Sequence, residues 1–265
     1  MKKTLLYYFY IDKNDYYYTD IHLSCLRYYS DIFDEVKICL SIDDINDFST
    51  IKNYQEKFLC IFNKTKKDIT FIIQENTFYL GESLFFYNEL VKKLNEYELV
   101  FYCHGKRDGT LKLIIDSKEE LFKLTSLWIV GCYYLSLNFM EEVKNTIEQD
   151  SKSDVFYGSY LMNINNLGFE ETVFSDNYCG TFFWINCKKL YSTIKTYNLE
   201  IPEVASRYYS EQFPSYILKS GKTSHDSIIL DSINIYNEVE RCTKESCGNE
   251  YNDFLEFYNR IINIQ

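Results

Sequence analysis

Only two prolines, Pro202 and Pro214, occur in the 265 residues, and no glycine- or serine-rich stretch separates one part of the chain from another. With no linker to mark a boundary, one domain spanning 1–265 is expected. Also missing is any apolar run near the roughly 18 residues that cross a bilayer, so no transmembrane segment is expected. The nearest imitation of a targeting signal is Leu5–Ile11 behind two lysines. It is short and aromatic, ends at Asp12, and has no small-residue cleavage pattern, which fits a first buried strand better than a leader. Positive charge is in short supply. With 28 basic against 39 acidic residues the formal charge is −11, and such a field repels nucleic-acid phosphates and anionic membranes. The nine cysteines include no C-x-x-C pair. This argues against a zinc framework and for reduced core thiols in a cytosol-like compartment, so a soluble, cytoplasmic protein is expected. Neither G-x-G-x-x-G nor G-x-x-x-x-G-K-[ST] occurs, so the dinucleotide and P-loop readings lack their fingerprints.

What is present is an alternation of strand and helix patterns. Strand-like "TLLYYFYI" precedes "DIHLSCLRYYSDIF", a helical pattern that Thr19 can cap. "EVKICLSI", a polar helix-like stretch over 44–57 and "DITFIIQ" follow, then the clearest helix, "GESLFFYNELVKKLN", and the strand "YELVFYC". Four βα units within about a hundred residues predict a doubly wound, mostly parallel sheet with helices on both faces. The second half predicts a long helix over 117–149, strands "SDVFYGSYL", "FEETVFS" and "GTFFWINC", and helices again from Lys188.

Four clusters carry chemistry. The fourth strand ends in His104, Lys106, Arg107 and Asp108, at the edge where open α/β sheets bind ligands. The two cations suit a diphosphate, and the imidazole or carboxylate suits a metal or a sugar hydroxyl. "KRDGT" reads equally as a polar turn with Gly109 at its tip. "YCGTFFWINC" offers an aromatic platform for a sugar ring, or simply a buried strand. Arg207 and Glu211, four apart, share a helix face, the usual spacing of a surface ion pair. His225 and Asp226 are adjacent and point apart, and so do Cys103 and His104, which rules against a thiolate–imidazolium pair there.

Taken in order, these segments resemble a known family. The series runs N-x-x-x-x-G-E-S-x-x-F (Asn76, Gly81, Glu82, Ser83, Phe86), a strand ending Y-C-H-G-K, Trp128, G-T-F-F-W (Gly180 to Trp184) and R-Y-Y-S-E-Q-F (Arg207, Glu211). It is similar to glycosyltransferase-like proteins of large DNA viruses, bacteria and protists, whose typical forms read strand–H-T-K-G, G-N-F-W-W and R-x-x-x-E. The resemblance implies a GT-A-like fold: a Rossmann-type nucleotide-binding half, 1–116, fused to a smaller mixed acceptor-side half, 117–265. It also implies transfer of a hexosyl or deoxyhexosyl group from a nucleotide diphosphate sugar, such as a UDP-sugar, to a glycan or other hydroxyl acceptor. For a viral member the setting would be the host cytoplasm.

Carried over by motif, Asn76, Glu82, His104, Lys106, Arg107 and Arg207 would bind the nucleotide sugar. Gly180, Thr181, Phe183 and Trp184 would line the sugar or acceptor pocket, and Glu211 with Arg207 would organise the acceptor side. The chain departs from the family at Gly105 and Thr181, where Thr and Asn are usual, and it has no D-x-D at the strand end. Either Mg²⁺ or Mn²⁺ is held by Asp108, or Lys106 and Arg107 stabilise the leaving diphosphate without metal. Asp176, Glu211 and His104 are the candidate catalytic groups for taking the acceptor's proton. The alternative is a catalytically inactive relative that serves as a glycan-binding or scaffold protein.

Overall fold

The computed structural model describes residues 1–11, 17–62, 67–77, 80–105, 117–148, 154–163, 176–178, 181–204, 209–218, 224–230 and 235–263. Four parallel strands come first: β1 (Lys3–Tyr10), β2 (Glu35–Ile42), β3 (Asp68–Glu75) and β4 (Leu99–His104). Helices α1 (Tyr17–Tyr29), α2 (Phe48–Phe62) and α3 (Gly81–Glu89) connect them. The order β3-β2-β1-β4 matters for function. The chain winds outward from β1 through β2 to β3, then returns across to place β4 on the other side of β1. Open α/β sheets bind ligands at such a reversal, which here falls at the carboxyl ends of β1 and β4.

The second half continues the same sheet. After α4 (Lys118–Leu137) and the single turn α5 (Met140–Val143) come β5 (Asp154–Asn163), β6 (Asp176–Tyr178) and β7 (Phe183–Asn186). Strand β7 runs antiparallel to both β4 and β5. Helices α6 (Cys187–Tyr197) and α7 (Tyr209–Leu218) precede β8 (Ser224–Leu230), which pairs parallel with β5, and α8 (Ile235–Cys247) and α9 (Tyr251–Ile262) close the chain. The sheet is therefore parallel in its first half and mixed in its second. "SHDSII" is part of β8, whereas "FEETVFS" lies outside the described residues.

Side-chain alternation assigns the two faces. Leu5, Tyr7 and Phe9 of β1, with Phe101 and Cys103 of β4, pack under α1, α2 and α4. Leu6 and Tyr8, with Val100 and Tyr102, pack on the opposite face, with residues of α3, α6 and α7. Strands buried on both sides read as continuous apolar runs, which is why β1 and β4 look so hydrophobic in sequence.

Two helices differ from expectation. Thr19 lies inside α1, which begins two residues earlier, so it does not cap it. The long helix does start where Ser117 predicts, its hydroxyl accepting from the Glu120 N–H. It ends at Leu137 because Phe139, with φ −97° and ψ 45°, leaves helical geometry and packs edge-on against Tyr134.

Gly81 opens α3 where a β-carbon would stand 2.6 Å from the Tyr8 hydroxyl. Gly81→Ala is expected to destabilise the protein by about 1–3 kcal/mol through overpacking. Tyr8→Phe in the same background should restore part of that loss in denaturant titrations.

Candidate functional site

The switch point is bordered by residues that follow strand ends. Strands β1 and β4 are in register there, Tyr8 opposite His104, and the Gly105 N–H continues the ladder to the Tyr8 carbonyl at 2.8 Å. A β-carbon on Gly105 would stand 2.9 Å from the Phe9 ring, so the backbone hugs β1 at this point. This close approach accounts for glycine where the family resemblance would have threonine.

His104 alternates onto the α3 and α7 side of the sheet. Its Nδ1 lies 2.8 Å from Oε2 of Glu82, in the first turn of α3, and both side chains are more than four-fifths buried. The other carboxylate oxygen, Oε1, accepts a 2.7 Å hydrogen bond from the Ser210 hydroxyl of α7. Beside Ser210, Glu211 faces Thr181, whose hydroxyl donates to it at 3.5 Å, the outer limit of such a bond. The Nε2 atom of His104 is buried and has no hydrogen-bond partner among the described residues. Buried polar atoms are usually paired, so Nε2 has the capacity to bond a ligand or a water, as do the equally unpaired hydroxyls of Tyr29 and Thr125 in the core.

Thr181 occupies an unusual backbone position, φ +58°. Leu161 of β5 pairs with Tyr178 and Gly158 with Phe183, so three steps along β5 correspond to five steps in the facing sequence. The break in register between β6 and β7 thus turns Thr181 out of the ladder and toward α7. A β-branched residue is strained in this region, and such strain collects where function requires a particular geometry.

A second cluster closes the ends of β1, β2 and β3. The Tyr10 hydroxyl lies 3.0 Å from both oxygens of Asp43, and Asn76 Nδ2 donates to Asp43 at 2.9 Å. The Asn76 N–H bonds the Ile42 carbonyl at 2.8 Å, which ties the loop after β3 to the end of β2. Neither Tyr10, Asp43 nor Ser210 stood out in the sequence. Asp43 follows β2 as directly as Gly105 follows β4, and that position was the available signal.

The sequence-derived residues divide clearly. Glu82 meets His104 and Ser210, Glu211 meets Thr181, and Asn76 stands apart from them against Asp43 and Ile42. Phe183 and Trp184 are fully buried, so they do not line a pocket. Phe183 belongs to the α3-side core, and Trp184 stacks on Phe33 and packs at a tilt against Phe101 while its indole N–H donates to the Ser136 carbonyl at 2.8 Å. The reason is the antiparallel pairing of β7 between β4 and β5, which puts both of its faces under helices. Asp176 begins β6, and only its backbone is described; Lys106, Arg107, Asp108, Gly180 and Arg207 lie outside the described residues.

Burial pushes the Cys103 thiol well above its usual range, with Cys132 and Glu82 adding to the shift. Cys103 is accordingly a neutral core thiol beside His104. The Tyr102 phenol is likewise raised by burial, then by Glu82, so it stays protonated. Among the described residues no three His, Cys, Asp or Glu side chains come together as a metal site. Asp108, the carboxylate expected to hold Mg²⁺ or Mn²⁺, lies outside the described residues. No helix of the described residues is long and apolar enough to cross a membrane.

No family model matches the chain, and no curated protein does. Among solved structures, S. aureus TarS 1-349 aligns with 87% of this chain at 10% identity and a TM-score of 0.38. The alignment covers 58% of that structure. At this level of similarity the site must be read from its own geometry.

Proposed function

We propose that the protein is a glycosyltransferase that moves a sugar from a nucleotide diphosphate sugar to a hydroxyl acceptor. The observation that carries this reading is the convergence of both halves of the chain at the switch point. His104 from β4 and Glu82 from α3 meet Ser210 and Glu211 from α7, with Thr181 joined to them. The order of motifs shared with the glycosyltransferase-like family supports the same reading.

In this scheme the nucleotide lies over the ends of β1, β2 and β3, near Tyr10, Asp43 and Asn76. Lys106 and Arg107 follow His104 after Gly105, and with Arg207 they neutralise the diphosphate as it leaves. Gly180 and Thr181 border the sugar, while Phe183 and Trp184 support that wall from the core. His104, Glu211 and Asp176 are the groups suited to take the acceptor's proton. Asp108 is the nearby carboxylate for a cation, and no step here is routed through one.

The test is a thermal-shift panel of UDP, GDP and TDP sugars with and without Mn²⁺. A ligand at 100 times its Kd adds about 2.7 kcal/mol, a rise of at least about 5 °C for a chain of this size. Flat curves across the panel would remove the proposal. Stabilisation without transfer or donor hydrolysis would instead assign an inactive relative that still binds its ligand.

A further inference from the structure

Both oxygens of the Glu82 carboxylate are engaged within the protein. One oxygen faces His104 Nδ1 at 2.8 Å and the other accepts from Ser210 at 2.7 Å. A carboxylate only accepts hydrogen bonds, so at 2.8 Å from a neutral imidazole it requires the proton on Nδ1. The lone pair of the ring then belongs to Nε2, the nitrogen that is buried and without a partner among the described residues. The same division of roles holds wherever a carboxylate orients a histidine that must accept a proton from a hydroxyl.

Resting on the glycosyl-transfer reading, we infer that Glu82 is a positioning residue, braced by Ser210, that fixes His104 in the Nδ1–H form and presents Nε2 as the acceptor for the proton of the attacking hydroxyl. The atoms balance. The acceptor oxygen bonds the anomeric carbon as its proton passes to Nε2. The bond from that carbon to the diphosphate oxygen breaks, and its electron pair leaves with the diphosphate. The imidazolium so formed faces the Glu82 carboxylate, which stabilises it. Attack and departure at opposite faces of the anomeric carbon make the transfer inverting. Because Ser210 belongs to α7, the arrangement also ties the acceptor side of the site to the group that activates the acceptor.

The chain has three histidines, His22, His104 and His225, so ¹⁵N-histidine labelling with a His104→Gln control identifies the signals of His104. At alkaline pH the ligand-free protein is expected to show the proton on Nδ1 and a bare Nε2. Glu82→Gln should keep that signature, since its amide carbonyl can still accept from Nδ1–H, whereas Glu82→Leu should lose it. With a donor found by thermal shift, Glu82→Leu should lower kcat about 100-fold and leave KM within about threefold, and Glu82→Gln should recover part of the loss.

A wild-type ring protonated on Nε2, or an unchanged signature in Glu82→Leu, overturns the assignment. The wild-type spectrum is sufficient if the leucine variant does not fold. Since the tautomer is read without any sugar, a flat donor panel with Nδ1–H intact removes the transferase reading alone. Donor binding with Nε2–H removes the role of Glu82 alone.

Discussion

Replacing Trp184 with alanine should lower the stability of the protein by about 3–5 kcal/mol, the range for deleting a fully buried large aromatic side chain. Trp184 has no exposed area; its ring centre lies 5.1 Å from that of Phe101, which is tilted against it, and 6.0 Å from that of Phe33, on which it stacks. Removing the indole leaves a cavity and also orphans the Ser136 carbonyl, whose loss carries its own cost. Denaturant unfolding of Trp184→Ala and Trp184→Phe checks the expectation. The phenylalanine variant keeps most of the packing, loses only the hydrogen bond and some volume, and should bind a donor sugar as the wild type does. If Trp184→Phe weakened sugar binding more than tenfold while remaining folded, the residue would belong to a pocket wall after all.

The second large effect is on activity. If the protein is the proposed glycosyltransferase, His104→Gln should reduce sugar transfer by about 10²- to 10⁴-fold, the span attributed to a positioned acid–base group. Glutamine is the informative replacement because its amide N–H can still bond Glu82 Oε2, while nothing is left to accept the hydroxyl proton. The melting temperature should accordingly move little. Turnover within tenfold of the wild type would transfer the proton-accepting role to Glu211 or Asp176.

These two residues show how differently the sequence spoke about packing and chemistry. His104 was legible because an apolar strand ending abruptly in imidazole, glycine and cations marks the carboxyl end of a parallel sheet, where ligands bind. Asn76 was singled out by the motif order and Glu211 by its spacing from Arg207; in the structure Asn76 bonds Asp43 and Glu211 meets Thr181. Trp184 was misread for a physical reason. An aromatic on a strand has the same local pattern whether its face meets a sugar or a helix, and what covers that face is decided by elements far away in sequence. Here these are Phe33, Phe101 and the carbonyl of Ser136.

The sequence by itself determined the alternation of β and α in the first half, the strands that are buried on both faces, and the strand end on which His104 stands. Periodicity and burial are local properties, and short-range sterics enforce them. Only the tertiary structure decided that Glu82 turns toward His104, that Ser210, 128 residues further along, completes the chain, and that Trp184 faces inward. Hydrogen bonds between distant residues depend on register and helix docking, and a one-residue change in either reverses which face a side chain occupies.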